Sequence, residues 1–313
     1  MFKIGVVNID TSHPLAFSDI LRKENRGRYS AIFNDGFRGD DEIESFIKNH
    51  GLDKRFMSIN DMADYADIGF IQGCDWDTHV KYAVPFIEKG KPVFIDKPIV
   101  GNIKDCKKIK ELADNGAVIL GSSSVRYANE IRDFLAIDEN TRGKTVNVFG
   151  SVGVDEFNYG IHIVEGICGL IPEKPVSVCY MGSGRIDEKI CETYYVKFEN
   201  GVTAIYNSFI GTWQPFEFVI MTTKTTYQFR IDTSTIYKSL LDRICDYMET
   251  GINNMASANQ LIDPVMILLA GRRSRETKGG EVKLSDIPDD DPGFDGALLC
   301  KNYAAASSKI YLK

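Results

Sequence analysis

The first part of the chain alternates short apolar runs with segments of helical periodicity. The apolar runs predict strands at Phe2–Val7, Tyr29–Phe33, Ile68–Ile71, Pro92–Ile95 and Ala117–Leu120. The segments between them predict helices at Leu15–Lys23, Glu42–Asn49, His79–Glu88 and Ile103–Asp114. Runs of continuous apolar character are typical of buried parallel strands. The alternation therefore predicts an α/β domain with a doubly wound parallel sheet and right-handed crossovers.

The pattern changes after about residue 122. Closely spaced strands are predicted at Val146–Val154, Val176–Met181, Thr193–Phe198, Val202–Ile210, Phe216–Met221 and Thr225–Ile231. Asn200-Gly201, between two of them, is a strong signal for a two-residue hairpin turn. Flanking helices are predicted at Asn158–Leu170, Ser239–Thr250 and Gln260–Arg275. This half should be an α+β domain on a largely antiparallel open sheet.

These patterns predict a domain at residues 1–122, a second at 123–285, and an acidic connector with a C-terminal tail at 286–313. Asp286–Asp295 carries five aspartates and two prolines, which favours a solvated connector.

Charge and cysteine content exclude several classes of protein. Lys and Arg number 37 against 44 Asp and Glu, so the basic excess of a nucleic-acid-binding protein is absent. The longest purely apolar stretch, Val265–Ala270, is far shorter than the ~20 residues of a membrane span. Seven scattered cysteines without a Cys-x-x-Cys pair argue against a disulfide framework and a structural zinc site. With no readable signal peptide, the sequence predicts a cytoplasmic chain without a metal.

The turn after the first strand is where a Rossmann-like fold places Gly-x-Gly-x-x-Gly. None of the three glycines is present in this chain. Their positions are occupied by Asn8, Asp10 and His13. A carboxylate ~5 Å from a phosphate charge would cost roughly 1 kcal/mol in water and ~3 kcal/mol at intermediate dielectric, which weakens binding without forbidding it. The alternative is an ordinary helix start, capped by Ser12 or His13. The candidate cofactor-binding residues of this turn are Asn8, Asp10, Thr11, Ser12 and His13.

Two other strand ends carry polar candidates. Asp35 follows the second strand, where an acidic side chain accepts the ribose hydroxyls of NAD and repels the 2′-phosphate of NADP. An ordinary Asn-Asp-Gly turn is the alternative there. Lys97 follows a buried strand at its carboxyl end, where open α/β sheets bind ligands. The alternative for Lys97 is a surface lysine in a turn fixed by Pro98.

The segment Gly90–Pro98, which reads Gly-Lys-Pro-Val-Phe-Ile-Asp-Lys-Pro, resembles the Glu-Lys-Pro segment of the glucose–fructose oxidoreductase / inositol dehydrogenase (Gfo/Idh/MocA) family. The resemblance continues at Cys74–His79, Gly121–Tyr127, Asn158–His162 and Gly201–Ala204. It points to a branch with Asp-Thr-Ser-His at the first turn and Tyr-Gly-Ile-His-x-x-Glu in the second domain. It implies a nicotinamide-binding fold followed by a substrate domain whose open sheet often forms an oligomer interface.

The resemblance also implies roles for individual residues. In similar enzymes the lysine of Glu-Lys-Pro lies beside the nicotinamide and a substrate hydroxyl, which maps onto Lys97, with Asp96 in place of the usual glutamate. The second signature, Asp-x-x-x-His, maps onto Asn158 and His162. Asn158 can orient a hydroxyl but cannot accept a proton at neutral pH, so His162 becomes the expected acid/base group. Glu165 could orient the His162 ring or face water.

Further candidates line the same predicted cleft. Trp76 and His79 match the family's nicotinamide-side loop, although a capping or packing role suits His79 equally well. Arg126 and Tyr159 could contact the substrate, and the alternative for Arg126 is a surface salt bridge.

The sequence therefore predicts an NAD-dependent oxidoreductase, with NADP disfavoured, acting on a secondary alcohol of a sugar, cyclitol or related polyol. It predicts a homo-oligomer formed through the second-domain sheet, with no nucleic-acid or membrane partner. Two alternatives stay open. One is a redox-neutral NAD-using epimerase or lyase, and the other is a non-catalytic dinucleotide- or sugar-binding regulatory protein.

Overall fold

A parallel sheet forms the N-terminal half of the computed structural model, which describes residues 1–312. Its strands are β1 (Phe2–Val7), β2 (Gly27–Phe33), β3 (Lys54–Arg55), β4 (Ile68–Ile71), β5 (Val93–Asp96) and β6 (Ile119–Ser122). The strand order is β3-β2-β1-β4-β5-β6, and all pairings are parallel. The order reverses between β1 and β4, so a crevice opens at their carboxyl ends. The predicted doubly wound sheet is confirmed.

Five helices cover the two faces of this sheet. They are α1 (His13–Glu24), α2 (Asp40–His50), α3 (Ile59–Tyr65), α4 (His79–Glu88) and α5 (Ile103–Asp114). The bounds of α4 and α5 coincide with the predicted helices. The prediction missed β3 and α3, because a two-residue strand and a seven-residue helix show no measurable periodicity. Ser58 caps α3 by accepting the Asp61 N–H at 3.3 Å, a signal that the sequence did offer.

The second sheet has seven strands: β7 (Thr145–Val154), β8 (Pro175–Ile186), β9 (Lys189–Phe198), β10 (Thr203–Ile210), β11 (Glu217–Thr222), β12 (Thr226–Arg230) and β13 (Val282–Lys283). Their order is β12-β11-β7-β10-β9-β8-β13. The central pair, β7 and β10, is parallel and the other pairs are antiparallel. This confirms the predicted largely antiparallel sheet.

One face of the second sheet is covered by helices, among them α8. The helices of this half are α6 (Asn129–Ala136), α7 (Glu139–Arg142), α8 (Gly160–Leu170), α9 (Ile236–Thr250), α10 (Ala258–Glu276) and α11 (Gly296–Ala306). Glycine lets α8 approach closely, because a Cβ at Gly166 would stand 2.4 Å from the Phe218 ring. Within residues 1–312, none of the helices combines the length and apolar character needed to cross a membrane.

The acidic connector is exposed at four of its five aspartates, and Asp291 is the exception. Asp291 is buried and pairs with Arg272 and with Arg273, whose Nη1 lies 2.9 Å from Asp291 Oδ2. The chain then forms α11 and returns to the first domain. We call residues 294–312 the C-terminal segment. The domain boundaries at residues 122 and 285 stay predictions.

Arg38 and Tyr311 fasten the C-terminal segment to the first domain. The buried Arg38 guanidinium donates to the carbonyl of Ser308 at 2.9 Å and to Ser307 Oγ at 2.7 Å. The Tyr311 hydroxyl donates to the carbonyl of Thr11 in the turn after β1. The segment therefore lies over the crevice at the carboxyl edge of the parallel sheet.

Candidate active site

Lys97 directly follows β5, and its ammonium group contacts Asn158 in the second half of the chain. Its Nζ donates to Asn158 Oδ1 at 2.8 Å and to the Asn158 carbonyl at 3.2 Å, and lies 5.5 Å from the centre of the Tyr159 ring. Burial lowers the pKa of Lys97 below that of an ordinary lysine, although the charges of Asp96 and Asp155 oppose the shift. The structure thus brings together three residues that the sequence predicted for one site.

A polar turn before α8 places Asn158 and Tyr159. The Oδ1 atom of Asp155 accepts the backbone N–H of Phe157 at 3.0 Å and that of Tyr159 at 2.9 Å. Such bonds from an aspartate to amides two and four residues ahead fix the conformation of a turn. The carbonyl and side chain of Asn158 are thereby held where Lys97 reaches both.

His13 and Asp96 form a close pair beside Lys97. His13 Nδ1 lies 2.7 Å from Asp96 Oδ2, and Asp96 Oδ1 accepts the backbone N–H of Lys97 at 2.8 Å. Burial alone would raise the pKa of Asp96, but His13 and Lys97 outweigh it and hold that pKa below its ordinary value. Asp96 is therefore held inside the protein, and its predicted contact with the cofactor stays a prediction.

A small pocket joins these groups under the C-terminal segment. Its volume is about 130 Å³. It is lined by Thr11, Ser12, His13, Gln72, Gly73, Cys74, Asp96, Lys97, Asn158, Tyr159, Tyr237, Leu299 and Tyr303. Sequence reasoning did not select Tyr237, Leu299 or Tyr303, since they lie on late helices whose docking site no local pattern reveals.

The glycine-free first turn keeps its shape through side-chain bonds. Asn8 adopts a left-handed conformation with φ of 62°, and its side-chain oxygen accepts the Asp35 N–H at 2.8 Å. The Asp10 carboxylate accepts the N–H groups of Phe37 at 3.2 Å and Cys74 at 3.0 Å. Burial raises the pKa of Asp10 despite these bonds. Asp10 therefore connects its own turn to the loops that contain Phe37 and Cys74, which corrects its predicted role as a cofactor contact.

Three potential metal-ligand atoms also converge at this turn, although the sequence predicts no metal. One atom each from Asp10, Cys74 and Cys300 lie within 4.8 Å of one another. Cys74 and Cys300 are 226 positions apart by their numbering, so spacing could not reveal the cluster. Both Asp10 oxygens already accept backbone N–H groups.

Asp35 follows the carboxyl end of β2. Its Oδ2 accepts the Tyr82 hydroxyl at 2.6 Å, and the Lys81 ammonium is 3.9 Å away. The side chain is 58% exposed, so the carboxylate can accept further hydrogen bonds. Its predicted contact with the cofactor stays a prediction.

His162 lies behind the pocket rather than among its lining residues. Its Nδ1 is 2.7 Å from Ser123 Oγ, and its ring is packed 5.3 Å from that of Phe216. Burial, with the charge of Lys97, lowers the pKa of His162 well below that of an ordinary histidine. The ring is therefore neutral at pH 7. The predicted acid/base role of His162 stays a prediction.

Arg126 and Glu165 are paired with each other in the protein interior. Arg126 Nε contacts Glu165 Oε2, and Arg126 Nη2 donates to the Gln260 carbonyl at 2.9 Å. Arg126 is 7% exposed and Glu165 is fully buried. This corrects the predicted substrate-binding roles of both residues, because an internal ion pair leaves neither charge for a ligand.

Trp76 and His79 also receive structural roles. Trp76 Nε1 donates to the carbonyl of Phe294 at 2.7 Å, which places the indole under the C-terminal segment. Both ring nitrogens of His79 face backbone carbonyls, those of Ile99 at 3.1 Å and Gly73 at 2.9 Å. Both side chains are almost fully buried. The predicted cofactor contact of His79 is corrected accordingly, whereas that of Trp76 stays a prediction, because it is the C-terminal segment that covers the indole.

Comparison with known proteins identifies the N-terminal domain. Residues 5–123 match the family model described as "Oxidoreductase family, NAD-binding Rossmann fold" (GFO_IDH_MocA). Residues 5–123 are therefore similar to this family, in agreement with the resemblance seen in the sequence. The match confirms the predicted NAD-binding Rossmann fold for these residues and supports the oxidoreductase class. The sequence matches no curated protein at a significant level.

Solved structures share the fold over nearly the whole chain. Scyllo-inositol dehydrogenase from Lactobacillus casei, with bound NAD(H) and scyllo-inositol, is 15% identical, with a TM-score of 0.74 over 91% of this chain and 100% of its own. Myo-inositol dehydrogenase from the same organism, in complex with NAD(H) and myo-inositol, is 14% identical, with a TM-score of 0.76 over 90% and 96%. An oxidoreductase from Thermotoga maritima is 16% identical, with a TM-score of 0.74 over 91% and 98%. At these identities the likeness shows the fold.

The match to the NAD-binding family model implies an NAD site at this crevice. Two features of the crevice residues fit such a site. The left-handed Asn8 backbone reproduces the conformation for which the first turn ordinarily uses glycine, and Asp35 offers an accessible carboxylate. The C-terminal segment lies over the space between these ends, because Leu299 and Tyr303 line the pocket and the Tyr311 hydroxyl donates to the Thr11 carbonyl. The pocket measures about 130 Å³, whereas ligand pockets usually measure about 300–1,000 Å³. Entry of a dinucleotide therefore requires that segment to move away.

Proposed function

We propose that this chain is an NAD-dependent oxidoreductase that acts on a secondary alcohol of a sugar, cyclitol or related polyol. The observation that carries the proposal is the buried Lys97 ammonium, held 2.8 Å from Asn158 Oδ1 at the carboxyl edge of a family-matched NAD-binding domain. The inositol dehydrogenases of similar fold support the polyol class.

Lys97 is suited to holding the reacting oxygen. Two of its interactions go to Asn158, so part of its hydrogen-bonding capacity remains for a substrate hydroxyl in the pocket. A positioned ammonium in a site that excludes water stabilises the negative charge that develops on that oxygen. The Asn158 side chain and the Tyr159 ring fix the direction of the ammonium. The nicotinamide, when bound, supplies the hydride acceptor.

Asp35 supports NAD rather than NADP as the cofactor. Its exposed carboxylate would accept ribose hydroxyls and would meet a 2′-phosphate with like charge. The lining residues Thr11 and Ser12 would face the pyrophosphate once the C-terminal segment has moved.

The outward face of the second sheet supports a homo-oligomer. Phe149, Tyr195, Ile205 and Val219 alternate with core residues and leave partly exposed apolar side chains on the face away from α8. A sheet face of this kind is covered by another surface in stable assemblies. We therefore propose that a second copy of the chain covers it, and that the chain works in the cytoplasm with no nucleic-acid or membrane partner.

One observation favours a second candidate function. The pocket of about 130 Å³ lies under the C-terminal segment, as expected of a regulatory protein that kept the fold and lost turnover. The retained Lys97–Asn158 pair favours the enzyme.

The test is formation of NADH by the purified protein with a panel of inositols, sugars and linear polyols. Wild type should reduce NAD with at least one member, and Lys97→Met should lower the single-turnover rate by about 10²- to 10³-fold. Lys104→Met is the matched control, because Lys104 is exposed at the start of α5. Absence of NADH with every polyol would favour the two alternatives, a redox-neutral NAD-using enzyme or a regulatory protein. Equal rates for wild type and Lys97→Met would remove Lys97 from catalysis.

A further inference from the structure

Two departures from the family pattern meet in space. His13 occupies the third glycine position of the first turn, and Asp96 replaces the glutamate of Glu-Lys-Pro. These residues are 83 positions apart, yet His13 Nδ1 lies 2.7 Å from Asp96 Oδ2. A glycine at position 13 could not form this bond. The pair is therefore a feature of this chain, and it stands directly beside Lys97.

Asp96 is held as a fixed hydrogen-bond acceptor. It is almost fully buried, and the backbone N–H of Lys97 donates to its Oδ1 at 2.8 Å. Gln72 Nε2 approaches Oδ2 at 3.4 Å, and Gln72 is itself held by the Tyr29 hydroxyl at 2.5 Å. An ionised carboxylate accepts only, so this arrangement requires the His13 proton on Nδ1. In the neutral form of the ring, the other nitrogen, Nε2, is then the unprotonated acceptor.

The His13 ring is oriented by packing as well as by Asp96. It stacks on Phe17 with 5.7 Å between ring centres and meets the edge of Tyr237 at 5.1 Å. The side chain is 14% exposed and lines the same pocket as Lys97 and Asn158. Within residues 1–312, no hydrogen-bond partner is found for Nε2. A neutral nitrogen without a partner, in the pocket that holds the lysine, is suited to accepting a proton.

His162 differs from His13 in two respects, because it has no carboxylate partner and does not line the pocket. Its bonded partner is the Ser123 hydroxyl, whereas Glu165, on the same helix, is paired with Arg126. It is also outside the set of residues that line the pocket. A histidine without a carboxylate to hold its tautomer and stabilise its cation is the weaker base of the two.

We propose that His13 is the catalytic proton acceptor, with Asp96 as its positioning residue. The alcohol O–H bond breaks, a bond from that proton to Nε2 forms, and the resulting imidazolium is stabilised by the Asp96 carboxylate. The electron pair of the broken bond stays on the oxygen, where the Lys97 ammonium holds it. This proposal rests on the proposed function, because it assigns the proton that alcohol oxidation releases.

The test compares His13→Gln with His50→Gln, a matched control on the far end of α2. Gln at position 13 can still donate to Asp96, but it cannot take up a proton. We expect His13→Gln to lower kcat by about 10²- to 10⁴-fold at pH 7, with an unchanged thermal midpoint and a rate that rises with hydroxide concentration. His50→Gln should match wild type. Turnover of His13→Gln within tenfold of wild type, or a comparable loss in His162→Gln alone, would overturn the assignment while the proposed function stands.

A second readout is independent of the cofactor and of turnover. The chain has four histidines, so nitrogen NMR of labelled imidazoles can be assigned with four single variants. His13 should appear with its proton on Nδ1, and Asp96→Asn should weaken that preference, with its fold retained. A His13 proton on Nε2 in the wild type would overturn the role of Asp96. Absence of turnover in the wild type with every polyol would reject the proposed function, and the proton-acceptor assignment with it.

Discussion

Two groups of polar residues meet near the junction of the two sheets, and they differ in access to ligand. The sheet-edge cluster consists of His13, Asp96, Lys97 and Asn158, and it lines a pocket. The helix cluster consists of Ser123, Arg126, His162 and Glu165, around α8, and it is buried in the protein. Both contain a histidine, a carboxylate and a cation. The residues of the sheet-edge cluster line the pocket, whereas those of the helix cluster do not.

The difference follows from where each cluster lies in the fold. Strand ends at a switch point leave side chains at an open edge, which is why Lys97 and Asp96 reach a cleft. Helix α8 lies flat on the second sheet, so Glu165 is fully buried and needs Arg126 to compensate its charge. The two clusters contain similar residue types, and access to the pocket distinguishes their roles.

The helix cluster should govern stability, and this gives the largest expected effect. Glu165→Gln leaves the Arg126 charge buried without its partner, so the free energy of unfolding should fall by about 3–5 kcal/mol. Urea denaturation of the variant and the wild type measures the change. Replacing both residues by apolar ones of similar volume, Arg126→Met with Glu165→Leu, should recover most of the loss. A loss below about 1 kcal/mol for Glu165→Gln would mean that the pair is not a structural requirement.

Features that depend on neighbouring residues could be predicted from the sequence, whereas contacts between residues far apart in the chain could not. The strands of the first sheet were predictable because apolar runs are local, and Lys97 could be placed because it directly follows one. The His13–Asp96 and Arg126–Glu165 contacts join residues 83 and 39 positions apart, which no local pattern encodes. Helix α11 did carry a local signal, since Asp295 caps it by accepting the Leu298 N–H at 2.7 Å. Its docking over the crevice depends on Arg38 and could not be read from that signal.

The next prediction compares the affinities of the protein for NAD(H) and NADP(H). Because Asp35 would repel a 2′-phosphate, NAD(H) should bind at least about tenfold more tightly than NADP(H), or about 1.4 kcal/mol. Asp35→Asn should bring the affinities for NAD(H) and NADP(H) closer together. Calorimetric titration of both proteins with both dinucleotides measures these affinities. Equal affinities in the wild type, or a preference for NADP(H), would remove Asp35 from the ribose site.

The helix cluster should also leave a signature in the pH dependence of stability. Burial holds the pKa of His162 well below the value of about 6.5 expected in the unfolded chain. Between the two values the unfolded chain binds more protons, so this group's stabilising contribution is present above pH 6.5 and is lost as the pH falls. Relative to wild type, His162→Gln should therefore gain up to about 1.4 kcal/mol per pH unit below 6.5. Urea denaturation from pH 7.5 to 5 tests this, and parallel profiles would contradict it.

The smallest expected effect concerns the segment that covers the sheet-edge cluster. Tyr311→Phe removes a hydrogen bond to Thr11 and should weaken docking of the segment by about 0.5–1.5 kcal/mol. Because NAD must displace the segment, apparent NAD affinity should rise by up to about tenfold. Trp76 reports the displacement in a Trp213→Phe background, since Trp76 bonds to Phe294 and Trp213 is exposed.

Tyr195→Phe is the control for that measurement, because Tyr195 lies on the outward face of the second sheet. It should leave NAD affinity unchanged. Unchanged affinity in Tyr311→Phe, together with NAD binding that does not alter Trp76 emission, would mean that the dinucleotide enters without moving the segment.

The central claim is that chemistry belongs to the sheet-edge cluster and stability to the helix cluster. It is tested most directly by measuring the single-turnover rate and the free energy of unfolding of Lys97→Met and Arg126→Met side by side. The account predicts that Lys97→Met loses about 10²- to 10³-fold in rate with little change in stability. It predicts that Arg126→Met loses about 3–5 kcal/mol of stability and keeps its rate within about tenfold while folded. The reverse pattern, or loss of rate in Arg126→Met alone, would contradict it.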